Sequence, residues 1–296
     1  MPTPRRIALV TATAARELDE DLAPLEAALR EAGAEAATPN WDDAAVDWSR
    51  FDLALLRSTW DYTQRLPEFL AWIERAAVRT RLLNPPDVVR WNTDKHYLRD
   101  LEKAGVAIVP SAFIEPGENA SAALPAFLRA HADFAEFVVK PAIGAGSRDA
   151  QRYGSEESDT ASAHARRLLD AGRSVLLQPY LDRVDAHGET ALIFFDGKFS
   201  HAIRKGPLLR RGEGPTRALF AAEHIAARAP SAAERDLAER TLAAIPSGAL
   251  LYARVDLIHD ADGAPRVLEL ELTEPSLFFA HAPGSAARFA KAALAR

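Results

Sequence analysis

The stretch that decides the fold is ARVDLIHDADGAPRVLELEL, residues 253–272. Two apolar-rich runs flank the turn-forming sequence DADGA, a pattern that predicts a β-hairpin. Asp256 lies on the first strand, whereas Glu269 and Glu271 lie two residues apart on the second and therefore project from the same face. The turn can bring Asp256 opposite these glutamates. Three carboxylates on one face repel each other, and an oxygen-rich set of this kind suits a hard cation such as Mg²⁺.

Arg254, two residues before Asp256, projects onto the same face. It can pair with the carboxylates, or it can reach a phosphate group. The alternative to a metal site is an exposed charged face in which Arg254 forms salt bridges with the acids. The hairpin alone leaves both interpretations open.

The sequence FVVKPAIGAGS, residues 137–147, is a candidate phosphate-binding segment. Lys140 ends an apolar strand, and Gly144, Gly146 and Ser147 form a small-residue loop whose backbone a ligand can approach closely. Only six of the 36 basic residues are lysines, so a compact ammonium group is not routine in this chain. The loop matches neither G-x-x-x-x-G-K-[ST] nor G-x-G-x-x-G, which removes the main support for a P-loop or a Rossmann site. A plain turn remains the alternative.

The first third of the chain alternates between strand and helix patterns. Residues 5–13, 34–38 and 52–58 predict strands, and residues 22–33 and 66–79 predict amphipathic helices. This alternation is typical of a small parallel α/β unit, in which ligands bind beyond the carboxyl ends of the strands. We therefore expect the segments that follow the three strands to converge at one edge of the sheet.

The remaining two thirds predict an α+β arrangement with largely antiparallel sheets. Residues 87–105 are helical with a polar break at 92–94, which indicates two helices. A hairpin over 190–205 turns at Asp196-Gly197, and the chain closes with a helix from about Ser285. The further predicted elements are strands at 137–142 and 174–181 and helices at 160–172 and 232–245.

Composition excludes several classes of function. The 296 residues are 48% hydrophobic and 26% charged, as in a globular protein, and there is no cysteine for disulfides, thiolate nucleophiles or cysteine zinc sites. The net charge of −6 argues against nucleic acid as the main partner. No apolar run reaches the roughly 18 residues of a membrane span, and the first ten residues do not resemble a signal peptide. We therefore expect a cytoplasmic protein with no membrane partner, and a homodimer remains open.

The order of these features resembles the ATP-grasp fold. Lys95 near a helix start, Lys140 with its glycine loop, the strand LLQPYL (176–181) and the closing hairpin follow one another as in that superfamily. The resemblance extends from about Trp91 to Pro275. It implies an α/β protein with an N-terminal parallel α/β domain, followed by an ATP-grasp fold of two α+β subdomains. The expected divisions are 1–90, 91–180 and 181–296.

The resemblance implies that the chain binds ATP together with Mg²⁺, with phosphate contacts at the matched positions. Lys95 and Lys140 would contact the α- and β-phosphates. Ser147 and the loop backbone would cover the triphosphate. Lys205 would reach the γ-phosphate, and Arg254 would reach the phosphoryl group in transfer.

The resemblance also implies the base, ribose and metal contacts. Gln178 would face the adenine amino group, Tyr180 and Leu181 would form the adenine wall, and Asp185 would contact the ribose hydroxyls. Two Mg²⁺ ions would be held by the carboxylates of the closing hairpin, namely Asp256, Glu269 and Glu271. The superfamily commonly has asparagine at the last of these positions, so Glu271 adds a negative charge to the metal site.

The segment RSTWDYT, residues 57–63, follows a predicted strand with many hydrogen-bonding groups. ATP-grasp enzymes mostly activate a carboxylate as an acyl phosphate, and this segment can hold an amino acid beside the γ-phosphate. Arg57 offers a bidentate fork to a carboxylate, and Asp61 can hold an ammonium group. The other candidate contacts are the donors Ser58 and Thr59 and the aromatic walls Trp60 and Tyr62. The alternative is that the two aromatic residues pack against the following helix and Asp61 caps it.

RSTWDY, together with ELTEPSL at 271–277, is most similar to the D-cycloserine synthetase branch of ATP-grasp ligases. Those enzymes activate the carboxylate of O-ureido-D-serine and close the ring by intramolecular attack. The resemblance therefore implies an amino-acid-like small-molecule substrate, with further contacts from Thr273, Glu274 and Ser276. Two alternatives remain open: a ligase that joins two different small molecules or a peptide and an amino acid, and a nucleotide-binding module without turnover.

The basic segment RKGPLLRRGEGPTR, residues 204–217, is either a solvated connector or a lid. As a lid it would exclude water and protect a reactive acyl phosphate from hydrolysis. Phosphoryl transfer depends mainly on positioning and charge neutralisation, so we expect little general acid or base catalysis from the protein.

Overall fold

The computed structural model describes residues 3–212, 214, 224–246 and 250–296. The chain begins with a four-stranded parallel sheet in the order β2-β1-β3-β4. Its elements are β1 (Arg6–Thr11), α1 (Leu22–Glu31), β2 (Glu35–Ala37), β3 (Leu53–Ser58), α2 (Leu66–Ala77) and β4 (Arg81–Leu83). The parallel α/β unit is confirmed. Strand β4 was not predicted, because three residues are too few to show a period.

The carboxyl ends of the parallel strands meet at one edge, as predicted. The hydroxyl groups of Thr11 and Ser58 are 2.7 Å apart, and Trp41 Nε1 donates to Asp61 Oδ1 at 2.9 Å. Residues after β1, β2 and β3 are therefore in contact with one another.

Two short helices follow, α3 (Pro86–Asn92) and α4 (Tyr97–Lys103), and the predicted break between them is confirmed. Asn92 explains the break, because its buried side chain bonds to another element. Its Nδ2 donates to the Leu270 carbonyl at 2.8 Å, and its Oδ1 accepts the Leu272 N–H at 2.7 Å. The polar interruption thus joins the end of α3 to the closing hairpin.

The central unit contains a four-stranded antiparallel sheet in the order β5-β8-β6-β7. Its elements are β5 (Ala112–Ile114), α5 (Ala120–Ala130), β6 (Glu136–Pro141), β7 (Gln151–Gly154), α6 (Ser158–Asp170) and β8 (Val175–Pro179). The predictions of β6, α6 and β8 are confirmed. The elements β5, α5 and β7 were not predicted, since both strands are very short and α5 contains Pro125 in its interior.

The C-terminal unit contains a five-stranded antiparallel sheet in the order β11-β10-β9-β12-β13. Its elements are α7 (Arg183–His187), β9 (Glu189–Phe195), β10 (Lys198–Lys205), β11 (Ile225–Arg228), α8 (Ala232–Ala243), β12 (Tyr252–His259), β13 (Pro265–Glu271) and α9 (Ser285–Leu294). Asp196 and Gly197 have φ values of 51° and 72°, so the predicted two-residue hairpin turn is confirmed.

One core joins the first and last parts of the chain. Leu25 and Leu29 of α1 pack in the same cluster as Phe289 of α9, Phe195 of β9 and Leu251. The parallel sheet is therefore held against the five-stranded sheet by apolar packing. The domain divisions at 90/91 and 180/181 remain predictions.

Asn84, which follows β4 and is fully buried, adds hydrogen bonds to this junction. Its Nδ2 donates to the carbonyls of Tyr252 and Leu272 at 2.8 and 2.7 Å, and its Oδ1 accepts the Leu251 N–H at 2.7 Å. These bonds fix the edge of the parallel sheet against the end of β13. Within the described residues, no helix has the length and apolar character needed to cross a bilayer.

Candidate functional site

A cleft between the central and C-terminal sheets collects most of the predicted site residues. Its lining includes residues from the end of α3 and the link to α4, from both antiparallel sheets and from the parallel unit. The predicted residues that line it are Trp60, Tyr62, Lys95, Lys140, Gly144, Gly146, Ser147, Gln178, Tyr180, Leu181, Lys205, Arg254, Glu269, Glu271, Glu274 and Ser276. Asp256, a predicted metal ligand, lies behind this lining. Residues far apart in sequence are thus brought to one place.

The part of the cleft that contains the predicted adenine contacts is lined mainly by apolar side chains, together with the amide of Gln178. Gln178 on β8 is 2% exposed, and its Nε2 donates to Ser111 Oγ at 2.9 Å. Val138, Ile258 and Leu268 line the same region and were not predicted as site residues. The sequence predicted the strands that carry these residues, but the alternation of side chains along a strand does not show which face of the sheet contacts a ligand. An apolar slot with few polar groups is typical of a nucleobase site.

Asp185, the candidate ribose contact, is not among the residues that line the cleft. It accepts a hydrogen bond from the Tyr180 hydroxyl and pairs with Arg152 at 3.1 Å. The guanidinium of Arg152 also lies 3.5 Å from the centre of the Tyr180 ring. Asp185 therefore orients Tyr180 in this structure.

Lys140, a predicted phosphate contact, lines the cleft. It makes no hydrogen bond or ion pair with the residues that the structure describes. Burial lowers the pKa of Lys140 to about 8, against the opposing attraction of Glu269, and Lys95 adds repulsion. A half-buried ammonium group of this kind gains from a bound anion.

The glycine loop after β6 is held in an unusual backbone conformation. Gly146, Ser147 and Asp149 have φ values of 60°, 58° and 59°. Non-glycine residues rarely adopt this region, so the surroundings must hold it. Asp149 accepts bonds from Arg167 at 3.0 Å and from Arg173 at 2.6 Å. The loop contains two turns, closed by the Arg148 N–H to the Ala145 carbonyl and the Ala150 N–H to the Ser147 carbonyl, so both the plain turn and the phosphate-binding loop remain open.

The three carboxylates of the closing hairpin share a face, as predicted. Strand pairing places Asp256 opposite Glu269 and Arg254 opposite Glu271. Arg254 Nε lies 2.9 Å from Asp256 Oδ1, and Arg254 also pairs with Glu271. The salt bridges of the alternative interpretation are therefore present, but Asp256 is only 1% exposed, so this face is not an exposed one.

Lysines complete this charge network. Lys205 Nζ lies 2.7 Å from Asp256 Oδ2, and Lys95 Nζ lies 2.8 Å from Glu269 Oε1 and donates to the Gly144 carbonyl at 2.7 Å. Burial opposes ionisation of Asp256, yet the adjacent Arg254 and Lys205 hold its pKa well below the usual range. The cations predicted to meet phosphates therefore meet the acids in this structure.

Acids and cations line the cleft in similar numbers. The acids are Glu189, Glu269, Glu271 and Glu274, and the cations are Lys95, Lys140, Arg148, Lys205 and Arg254. Burial raises the pKa of Glu271 to about 7 against the opposing charge of Arg254, and Asp256 and Glu269 add repulsion. Within 3–212, 214, 224–246 and 250–296, no three acidic or histidine side chains are already grouped for a metal ion. The hard oxygen donors nevertheless fit Mg²⁺ that enters with phosphate oxygens, because the phosphates would attract the same lysines.

Glu189 is a cleft residue that the sequence analysis missed. It lies opposite Lys205 at the open end of the β9–β10 hairpin and pairs with that lysine. Counting back from the Asp196-Gly197 turn does not give this pairing, because the register shifts between Phe199 and His201. We found no feature of the sequence that indicates this β-bulge.

The substrate segment 57–63 divides into two parts. Trp60 and Tyr62 line the cleft. Arg57, Ser58 and Thr59 are all 0% exposed and do not line it, so the predicted carboxylate fork of Arg57 does not fit this placement. The physical reason is that the end of β3 is covered by the segment after β13: Arg57 Nη2 donates to the Pro275 carbonyl at 2.7 Å.

Asp61 also lies outside the cleft lining. It accepts a hydrogen bond from Trp41 Nε1 and lies 3.6 Å from Arg65 Nη1. Tyr62 stacks on Phe69 of α2 at a ring-centre distance of 5.0 Å, so the predicted packing of the aromatic residue on the following helix is present as well. Tyr62 therefore serves both the core and the cleft.

The segment after β13 places alternate residues in the cleft. Glu274 and Ser276 line it, whereas Thr273 is 1% exposed and faces the core. Burial raises the pKa of Glu274 to about 8, with repulsion from Glu271 and an opposing hydrogen bond from Tyr62. Phe278, which was not predicted, lines the same wall.

The basic segment 204–217 is described only in part. Residues 206–209 line the cleft, and Arg211 pairs with Glu156 and Glu157 of the central unit. Residues 213 and 215–217 lie outside the described residues. A lid function remains a prediction.

Comparison with known proteins gives three consistent findings. Residues 7–84 match the family model of the D-cycloserine synthetase DcsG N-terminal domain. The chain is 44% identical over 291 residues, 97% of each protein, to the cycloserine biosynthesis protein DcsG of Streptomyces lavendulae. It matches the crystal structure of D-cycloserine synthetase DcsG with a TM-score of 0.92 at 43% identity, over 98% of this chain and 99% of that one.

More distant structures share the fold. The D-alanine–D-alanine ligase of Bacillus anthracis in complex with ATP matches with a TM-score of 0.68 at 17% identity, over 98% of this chain and 92% of that chain. The ATP-grasp ligase PsnB in complex with its minimal precursor, Mg and ADP matches with a TM-score of 0.63 at 18% identity, over 98% and 97% of the two chains. The ATP-grasp fold predicted from the sequence is thereby confirmed.

Proposed function

The chain belongs to the family of D-cycloserine synthetase DcsG, and from this premise we propose that it is an ATP-dependent ligase that closes O-ureido-D-serine to D-cycloserine. The observation that carries the proposal is the cleft in which Lys140, free of acidic partners among the described residues, lies with the Glu269 and Glu271 carboxylates of β13. Such a site offers one cation to phosphate and several oxygens to a metal.

ATP would bind with its base in the apolar slot beside Gln178, Tyr180 and Leu181. Its phosphates would extend towards Lys140 and the loop that contains Ser147. Lys95 and Lys205 would exchange their acidic partners for phosphate oxygens, because both lysines are already in the cleft. The released carboxylates would then be available to metal ions.

Asp256, Glu269 and Glu271 would hold Mg²⁺, and we propose two ions. Bound Mg²⁺ would neutralise charge on the phosphates. Arg254 lies between Asp256 and Glu271 and would bind the phosphoryl group in transfer. The residues of this chain thus position and neutralise the reacting groups, with little need for proton transfer.

The reaction would begin when the substrate carboxylate attacks the γ-phosphorus and ADP leaves. The resulting acyl phosphate would then be attacked by the substrate's own oxygen-linked nitrogen, which closes the ring and releases phosphate. This nitrogen carries the carbamoyl part of the ureido group, so water must also remove that group, as carbon dioxide and ammonia, to give D-cycloserine. Trp60, Tyr62 and Ser276 line the part of the cleft nearest the parallel unit and would contact the substrate. Arg57, Ser58 and Thr59 would support this wall from behind, since none of them reaches the cleft.

An ADP-release assay tests the proposal. ATP and Mg²⁺ are supplied with O-ureido-D-serine, with its L-isomer and with a panel of D- and L-amino acids, singly and in pairs. We expect ADP release with O-ureido-D-serine alone. ADP release only with a pair of compounds would favour a ligase that joins two molecules, and ATP binding without ADP release would indicate a binding module.

A further inference from the structure

The segment 273–279, here called the wall segment, presents alternate residues to opposite sides. Glu274, Ser276 and Phe278 line the cleft, whereas Thr273 and Leu277 are buried in the core. The cleft face of the wall segment carries a carboxylate, a hydroxyl and an aromatic ring. Its backbone therefore determines where these three groups lie.

Asp21, just before α1, holds the second half of this backbone. The residue is 4% exposed, and its carboxylate accepts hydrogen bonds from the N–H groups of three consecutive residues. Oδ2 accepts those of Leu277 and Phe278 at 2.5 and 3.1 Å, and Oδ1 accepts that of Phe279 at 2.9 Å. Bonds from backbone N–H to a carboxylate are charge-assisted and stronger than neutral ones.

Four side chains hold the carbonyl oxygens of the first half. Each donates to one of four consecutive residues, so the wall segment is bonded along its length. The contacts are Tyr252 Oη to Thr273 O at 2.8 Å, Trp60 Nε1 to Glu274 O at 3.1 Å, Arg57 Nη2 to Pro275 O at 2.7 Å and Arg254 Nη1 to Ser276 O at 3.1 Å.

Phe278 shows that the surroundings determine this conformation. Its φ is 53°, a left-handed value that is unfavourable for a bulky residue. A residue persists there only where other contacts hold it, and its own N–H is one of the three bound by Asp21. Arg57 Nη2 lies 3.9 Å from Asp21 Oδ2, so the two buried charges compensate each other.

Glu274 is the carboxyl group that the wall segment offers to the cleft. It is 8% exposed and accepts a hydrogen bond from Tyr62, and Trp60 donates to its backbone carbonyl. A buried carboxyl group of this kind suits a protonated amine, because the ammonium charge favours the ionised carboxylate and forms an ion pair with it.

We propose that Asp21 and Arg57 are positioning residues that hold the wall segment so that Glu274 binds the amino group of the substrate. This inference rests on the proposed function and assigns the recognition of that amino group. The arrangement separates two tasks, because the base and phosphate contacts come largely from the central unit, whereas the wall segment is anchored to the parallel unit. Loosening the anchor should therefore weaken substrate binding and spare ATP binding.

The test compares KM for O-ureido-D-serine with KM for ATP in Asp21→Asn. The amide preserves the volume, but it loses the charge and directs its own N–H groups at the backbone donors. We expect the substrate KM to rise about tenfold and the ATP KM to change by less than about twofold, as for the loss of a charged hydrogen bond. Tyr252→Phe removes one donor to the wall segment, at the Thr273 carbonyl, and keeps the ring at a residue outside the cleft lining, so a smaller rise of the same kind is expected even where Asp21→Asn folds poorly.

The matched control is Asp47→Asn. Asp47 also accepts a backbone N–H, from Ser49 at 3.1 Å, but it is exposed and remote from the cleft. Its substitution should leave both KM values unchanged. Equal rises in the two KM values of Asp21→Asn, or a lower melting temperature with both values unchanged, would overturn the positioning role.

The double variant Asp21→Asn/Glu274→Gln tests whether the anchor acts through Glu274. If it does, Asp21→Asn adds little to the substrate KM of Glu274→Gln, because the group that it positions is already lost. If the two substitutions each raise the substrate KM by their full separate factors, Asp21 acts by a route that does not involve Glu274. An analogue of the substrate that lacks the amino group should also be indifferent to Glu274→Gln.

A separate readout distinguishes failure of the proposed function. If the wild-type protein releases no ADP with any compound, that function fails, and the anchor is judged by hydrogen exchange of the amides at 277–279. These amides should exchange slowly in the wild type and faster in Asp21→Asn, with the β12–β13 amides unchanged. Equal exchange in both proteins would contradict the anchor itself.

Discussion

At the scale of single residues, Lys140 shows how a site can be recognised from an unsatisfied group. Three of the other cleft cations, Lys95, Lys205 and Arg254, have acidic partners within 3 Å, whereas Lys140 has none among the described residues. A buried charge without a partner is costly to the folded state. Binding of an anion offsets this cost, so nucleotide binding should raise the free energy of unfolding of the protein.

Replacement of this lysine should separate binding from stability. We expect Lys140→Met to lower ATP affinity by about 10- to 100-fold, the range for a charge-assisted hydrogen bond, in a titration with ATP and Mg²⁺. The free energy of unfolding without ATP should stay the same or rise by about 1 kcal/mol, because the unpaired charge is gone. Lys103→Met, at an exposed lysine on α4, is the control. Unchanged ATP affinity in Lys140→Met would remove Lys140 from the site.

His164 provides a test at a residue outside the cleft. It lies in α6, 7% exposed, with Nδ1 3.0 Å from the Tyr153 hydroxyl, and burial together with the charge of Arg167 lowers its pKa to about 4. The folded state therefore binds this proton less readily than the unfolded state, whose pKa is about 6.5. Its contribution to stability is complete above pH 6.5 and is lost as the pH falls towards 4.

His164→Gln should remove this part of the pH dependence. Between pH 6.5 and 4 the wild type should lose about 1–2 kcal/mol more than the variant in urea unfolding. His224→Gln, at an exposed histidine, should behave as the wild type does. Parallel stability curves for wild type and His164→Gln would contradict a neutral buried imidazole.

At the scale of elements, the hairpin of β12 and β13 was predictable because its information is local. Asp256, Glu269 and Glu271 lie within 16 residues, and strand alternation places their side chains on one face. Strands β5 and β7 were not predictable, because three or four residues show no clear alternation, and β5 also pairs with the distant strand β8. The β-bulge that pairs Glu189 with Lys205 is a local feature, but no glycine marks it between Phe199 and His201.

The hairpin's metal role predicts different effects for its acids. Asp256→Asn should reduce ADP release by about 100-fold and destabilise the protein by about 3 kcal/mol, because Lys205 and Arg254 lose a buried partner. Glu271→Gln should fold normally and raise the Mg²⁺ concentration for half-maximal ADP release several-fold. Glu102→Gln, at an exposed glutamate of α4, serves as control. If Glu271→Gln left the Mg²⁺ requirement unchanged, the metal set would reduce to Asp256 and Glu269.

At the scale of the whole molecule, the sequence predicted most of the residues that line the cleft. It did not predict how the parallel unit contacts those residues. Order and local pattern were enough for Lys140, Gln178 and the closing hairpin. The burial of Arg57 was not foreseen, since its partner Pro275 is 218 residues away and only the packing of the complete chain brings them together. Long-range contacts of this kind leave no periodic signal in the sequence.

The same contacts explain why the parallel unit belongs to the site. Packing of α1 on α9, the bonds of Asn84 and the anchor of the wall segment join it to the five-stranded sheet. The substrate wall is thus formed by two parts of the chain that are each incomplete alone. Under the proposed function, this assembly would place the substrate on the side of the cleft opposite the nucleotide.

The central claim is that this cleft couples ATP cleavage to ring closure, and the most direct measurement follows ADP and D-cycloserine in the same reaction. Wild-type protein with ATP, Mg²⁺ and O-ureido-D-serine should form ADP and D-cycloserine in equal amounts, the latter identified by its mass, and Lys140→Met should form neither at a comparable rate. ADP without the cyclic product, or the product without ADP, would contradict the account.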